Sequence, residues 1–145
     1  MKIINQDILT VERGVILQGC NALGRQASGL ALAIKTKWPI VETKYHKHIT
    51  KPYYRNLGTV NLVPVQQELY VANLISQYDW GRDYRRTEYG AAYASLKELR
   101  RMLVGTDLPV YVPYKIFCGL GGGDWNLVQE MLDELFPECY ICKID

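Results

Sequence analysis

The chain has 145 residues, 48% hydrophobic and 22% charged, a composition that fits one globular domain rather than two. Its apolar content, with 3 Trp, 11 Tyr and 2 Phe, excludes disorder, and no window approaches the roughly 18 consecutive apolar residues of a membrane-spanning helix. Lys and Arg number 17 against 15 Asp and Glu, a formal net charge of +2, which is less excess than a strongly nucleic-acid-binding domain usually carries. In chain order, a short strand is predicted over Lys2–Asn5, followed by a turn containing Asp7. Gly14–Cys20 reads as a second strand, with the apolar run Val15-Ile16-Leu17 suited to burial on both faces. A helix is predicted to start near Ser28, a good N-cap, and to carry Leu30, Ala31, Ile34 and Trp38 at helical spacing. Pro39 interrupts it, and Val41–His48 reads as a further short helix.

Two strands follow, Thr59–Val65 and Leu69–Ile75, joined by the tight polar connection Gln66-Gln67-Glu68. Pro64 within the first points to a sheet edge or a bulge. After a polar, aromatic-rich loop from Gln77 to Arg86, Thr87 is predicted to cap a long helix with Ala91 or Ala92, Leu96, Leu99 and Leu103 on its core stripe. Pro109–Tyr114 reads as a strand. Asp124 caps a helix carrying Leu127, Val128, Met131, Leu132 and Leu135, and Tyr140–Ile144 is the last strand. Strands alternating with helical patterns imply a layered α/β domain with a mostly parallel or mixed sheet.

Charge is unevenly spread. Lys35, Lys37, Lys44, Lys47, Lys51 and Arg55 are opposed only by Glu42 between positions 35 and 55, forming either a shoulder that steers an anionic ligand or a solvated face. His46 and His48 in this segment read as surface residues without a carboxylate pair nearby, and no metal-ligand constellation is expected. The four cysteines are Cys20, Cys118, Cys139 and Cys142. Cys139-Tyr-Ile-Cys142 has metal-site spacing, but on a strand positions three apart face opposite ways, so free buried thiols are expected. No secretory leader is visible, so the expected compartment is the cytoplasm, that of the host for a phage-encoded chain.

Ligands of open α/β sheets bind outside the carboxyl ends of the strands. Two segments fall there: Gly19–Gly29 and Gly119-Leu-Gly-Gly-Gly-Asp-Trp125. Glycine-rich backbone brings N–H groups close to an anion, and a following helix N-terminus adds to this; the alternative is a pair of plain tight turns. Neither segment is a Walker A loop or a Gly-x-Gly-x-x-Gly fingerprint. Asp124 is a helix cap that can also orient water or accept from a ribose hydroxyl. Trp125 closes over a sugar or packs in the core. Asn21 reaches a ribose hydroxyl or simply forms a turn.

The order Gln6-Asp7-Ile8, Asn21-Ala22, Ser28-Gly29-Leu30-Ala31 and Val112–Trp125 resembles the macro domains, which bind ADP-ribose, across positions 6–125. The second loop resembles small phage and bacterial members related to the yeast ADP-ribose 1''-phosphate phosphatase and the terminal ADP-ribose glycohydrolase branch. This resemblance implies a three-layer α/β/α fold around a central mixed sheet. It implies that Asp7 accepts from the adenine amino group with Ile8 beside the base, and that Asn21 lies near the distal ribose. Ser28, Gly29 and Leu30 match the first phosphate-side loop. Gly119, Leu120, Gly121, Gly122 and Gly123 match the loop wrapping the diphosphate and distal ribose, with Asp124 and Trp125 at its end.

The sequence departs from the pattern in Gln6-Asp7-Ile8 for Gly-Asp-Ile and in Ala27-Ser28-Gly29 for a triple glycine. The glycohydrolase branch also uses a lysine and a second-loop aspartate at positions that here hold Gln77 and Gly121. Gln is no amine nucleophile. The resemblance therefore implies hydrolysis of the terminal phosphate of ADP-ribose 1''-phosphate, with Asn21 and Asp124 as catalytic candidates. The alternatives are removal of ADP-ribose from protein, nucleic acid or O-acetyl-ADP-ribose, and non-enzymatic reading of ADP-ribose marks. No cofactor, membrane or nucleic-acid partner is expected beyond an ADP-ribosylated substrate, and a monomer is expected. With little chain left for a second module, selectivity is expected from loops 20–29, 77–86 and 119–125.

Overall fold

The computed structural model describes residues 1–26, 29–81, 84–119 and 121–144. The described residues form six strands: β1 (Lys2–Ile4), β2 (Gly14–Asn21), β3 (Val60–Gln66), β4 (Leu69–Gln77), β5 (Val110–Pro113) and β6 (Tyr140–Cys142). They form one sheet in the order β1-β6-β5-β2-β4-β3, parallel except for β3, which runs antiparallel to β4 at the edge. Among the described residues, the helices are α1 (Gly29–Lys37), α2 (Pro39–His48), α3 (Tyr89–Met102) and α4 (Trp125–Leu135). The predicted cap at Ser28 lies outside the described residues.

Side-chain alternation on β2 builds two cores. Val15 and Leu17 pack with Ala92, Leu96 and Leu99 of α3 and Val128 and Leu132 of α4. Ile16 packs with Ile34 of α1, Trp38 and Val41 of α2. Val15, Ile16 and Leu17 are fully buried, each contributing roughly 1.5–3 kcal/mol. The mixed sheet thus lies between two helical layers, as the α/β/α expectation required. Cys139 joins the first core and Cys142 the second, so the C-x-x-C is split across the sheet, and all four cysteines are free. Pro64 is both on an edge strand and at a register shift, where Gln66 faces Leu69. No described helix is long and apolar enough to cross a membrane.

Three expectations need correction. Thr87 does not cap α3: its side chain is buried and donates to Phe117 O at 2.7 Å, while Glu88 occupies the cap position without a side-chain bond. Leu127 is exposed rather than core, because Val128 and Leu132 take the inward stripe of α4. His48 is partly buried, with Nε2 2.8 Å from Thr59 Oγ1, and is not a surface residue.

Candidate functional site

The carboxyl ends of β2, β4 and β5 open into one cavity of about 590 Å³, within the range of small-molecule clefts. Its floor comes from Gln18–Asn21, its sides from Gln77 and Pro113 onward. Gly19 is exposed although it sits on a central strand, and a Cβ there would lie 2.9 Å from the Phe117 ring. The glycine therefore lets Phe117 cover the strand and form part of the wall.

The first loop turns on Asn21. Its Oδ1 accepts from the N–H groups of Leu23 and Arg25, both at 3.1 Å, and its Nδ2 donates to Arg25 O at 2.7 Å. The Tyr45 hydroxyl reaches Asn21 O and, at 3.2 Å, Asn21 Oδ1. This asparagine is buried, and both its Oδ1 and its Nδ2 are engaged by the loop it starts, so it shapes the cavity as a turn former. Past the loop, Gly29, Leu30 and Ala31 of the first turn of α1 line the cavity, where unpaired helix N–H groups cluster.

The second loop closes the opposite side. Gly122 takes φ +73°. A Cβ on Gly121 would lie 2.3 Å from Thr87 Oγ1, 2.8 Å from Phe117 O and 2.9 Å from Gln77 Oε1, so close approach of three elements requires glycine there. The N–H groups of Gly122 and Gly123 are used internally, on Gly119 O and Phe117 O, while Gly121 O accepts from Arg86 N and Thr87 N. Gly119 and Gly121 line the cavity, and neither backbone N–H bonds to a described residue. Lys115 and Phe117 adopt left-handed conformations (φ 59° and 68°), uncommon for non-glycine residues and characteristic of functional loops.

Of the residues singled out from the sequence, the cavity brings together Asn21, Gly29, Leu30, Gly119 and Gly121. Ser28 and Leu120 lie outside the described residues. Asp7, Ile8, Gly122, Gly123, Asp124 and Trp125 do not line it. Asp7 caps a 3-10 turn (Ile8–Thr10) through Leu9 N at 3.0 Å, and Ile8 is buried in the core that Leu30 adjoins. Asp124 is exposed and accepts from Asn126 N at 2.9 Å. Trp125 packs edge-on against Tyr114, with ring centroids 5.5 Å apart.

Sequence reasoning missed Gln18, Tyr45, Tyr114, Lys115 and Phe117 as lining residues. Gln18 did carry a signal, as the polar residue ending the apolar run of β2. Arg25, Gln26, Trp80 and Gly81 fall in two of the three loops assigned to selectivity, with the Arg25 guanidinium 4.7 Å from the centre of the exposed Trp80 ring. The described lining holds no carboxylate and no imidazole. Its thiol, Cys20, is buried, which pushes its pKa far up and keeps it protonated.

No protein-family model and no curated protein matches the sequence. Solved structures resemble it along its length. A Bacteroides thetaiotaomicron protein of unknown function is 30% identical over 99% of this chain and 96% of its own, with a TM-score of 0.83, and the chain belongs to one family with it. A Streptomyces coelicolor macrodomain protein is 22% identical, covering 99% of both chains at a TM-score of 0.79. The fold is that of a macrodomain. Thermosipho africanus DarTG, solved in complex with ADP-ribose, shares this macrodomain fold at 15% identity and a TM-score of 0.78, over 99% of this chain and 41% of that one.

Proposed function

We propose that this macrodomain binds ADP-ribose in the cavity at the ends of β2, β4 and β5. One observation carries the reading: the first turn of α1, Gly119 and Gly121, and the cations Arg25 and Lys115 all line a single cavity. Helix N-termini and free backbone amides favour phosphate oxygens, and two cations add to that preference. Tyr114, Ile116, Phe117 and Trp80 supply apolar surface for base and sugar. The ADP-ribose complex of a protein with the same fold supports the choice of ligand. Asp7, outside the described lining, takes the adenine amino group where the ligand leaves the cavity, with the carboxylate oxygen that its turn does not use.

The reaction proposed is hydrolysis of the terminal phosphate of ADP-ribose 1''-phosphate. It needs no protein nucleophile. Water attacks phosphorus, the bond from phosphorus to the ribose 1'' oxygen breaks, the proton given up by the water passes to that leaving oxygen, and amides with Lys115 stabilise the transferring group. Asp124, exposed at the start of α4 and outside the described lining, positions water for a terminal phosphate that extends beyond the cavity, and Asn21 holds the first loop in shape. Removal of ADP-ribose through a lysine adduct is disfavoured. Its position is Gln77, whose Nε2 donates to Asp79 O at 2.7 Å, and no side chain fits at Gly121. Binding without turnover is the second reading, favoured by a described lining without carboxylate or imidazole.

Calorimetry with ADP-ribose tests the ligand, and phosphate release from ADP-ribose 1''-phosphate tests the reaction. Tight binding, with release lost in Asp124→Asn, supports the phosphatase. Binding without release leaves the second reading. Failure of the wild-type chain to bind ADP-ribose overturns both.

A further inference from the structure

Thr87 stands where the sheet meets the second loop. Its backbone is bridged to Gln77 at the end of β4, and the next residue, Glu88, donates its N–H to Ser76 O at 2.8 Å, so the residue is anchored to the sheet. From that anchor it reaches the second loop twice. Its N–H donates to Gly121 O at 2.9 Å, and its hydroxyl donates to Phe117 O at 2.7 Å. The same Phe117 carbonyl accepts from Gly123 N at 2.9 Å. Phe117 holds φ 68°, the left-handed region that only glycine enters freely. Two hydrogen bonds on its carbonyl fix the peptide plane that follows it, and with it the course of the chain toward Gly119 and Gly121. Phe117, Gly119 and Gly121 all line the cavity, whereas Thr87, 1% exposed, lies behind them.

We propose that Thr87 is a positioning residue: its hydroxyl holds the Phe117 peptide, and through it the second loop, in the shape that receives the ligand. This rests on the ADP-ribose reading. A loop already held in shape loses less conformational freedom on binding, so loss of the hydroxyl weakens affinity without removing a ligand contact. The two arms of the side chain can be tested apart. Its methyl carbon Cγ2 packs toward Gly123, 3.6 Å from where a Cβ on that residue would lie. Thr87→Val keeps the shape and drops the hydrogen bond, while Phe117 O retains Gly123 N. Thr87→Ser keeps the hydrogen bond and drops the methyl.

The test compares wild type with both variants by calorimetry with ADP-ribose, by thermal unfolding, and by amide hydrogen exchange of Gly123 in the free protein. Thr87→Val is expected to lose about tenfold in affinity and to exchange Gly123 about tenfold faster, the effect that one hydrogen bond supplies. Thr87→Ser is expected to bind and exchange within about twofold of wild type, even where its melting temperature falls. A merely structural role would make affinity follow melting temperature instead, and that outcome overturns the inference. So does Thr87→Val binding within about twofold of wild type. If the wild-type chain does not bind ADP-ribose, the ADP-ribose reading fails by itself and exchange decides. Faster exchange of Gly123 in Thr87→Val than in Thr87→Ser supports a loop held by the hydroxyl, and equal exchange in the two variants overturns it.

Discussion

His48 shows how burial changes a single titration. Thr59 Oγ1 donates to Asn56 O at 2.6 Å, so the His48 Nε2–H donates to Thr59 Oγ1, and burial lowers the ring's affinity for a proton. Below pH of about 6.5 the unfolded chain takes up this proton before the folded one does, and stability falls as pH drops toward the lowered folded value. Above that pH the full contribution is present. Urea unfolding across this window is expected to show a loss of at most about 1.4 kcal/mol per pH unit from this group, absent in His48→Gln. Steric demand is as local. Gly121→Ala is expected to cost about 1–3 kcal/mol, because its Cβ meets Thr87 Oγ1 and Phe117 O. Gly119→Ala, where nothing lies within 4 Å, is expected to stay within about 0.5 kcal/mol of wild type by the same unfolding measurement. The glycine run was legible in the sequence, but which glycine makes room and which exposes its amide was not, since Thr87 and Gln77 arrive from distant segments.

At the scale of elements, helices were located by apolar spacing and strands by apolar runs, and both depend on neighbours in the chain. Caps were legible only where no tertiary partner competed. Asp124 and Thr87 both precede helices. Asp124, exposed, keeps its cap on Asn126 N, whereas Thr87 is buried, where water cannot serve its hydroxyl, and turns inward to Phe117 O. Asp124→Ala is therefore expected to cost about 1 kcal/mol in thermal unfolding, and Asp124→Asn close to none, since asparagine caps equally well. A loss of phosphate release in Asp124→Asn at unchanged stability separates chemistry from capping.

For the whole molecule, the sheet divides two hydrophobic layers that share no helix. Leu96 on α3 and Ile34 on α1 are both fully buried, on opposite faces. Each substitution to Ala is expected to cost about 2–5 kcal/mol, and the double variant the sum within about 0.5 kcal/mol, because no packing contact joins the two layers at these residues. Urea titration of the four proteins checks this. Alternation along the chain determined the layered α/β class, the split of Cys139 and Cys142 between faces, and the end of the sheet where glycine-rich loops gather, all consequences of spacing between near neighbours. Tertiary structure alone decided which loop residues share the cavity. Asn21 spends its amide on its own turn, Asp124 and Trp125 stay off the lining, and Gln18 and Gln26 each keep a buried Oε1 without a hydrogen-bond partner among the described residues. Gln18 takes its partner 55 residues away, on Asn73, whereas Asn21, Gln26 and Asp124 take partners within 5 residues of themselves, and no local pattern encodes which of several available partners a side chain will take.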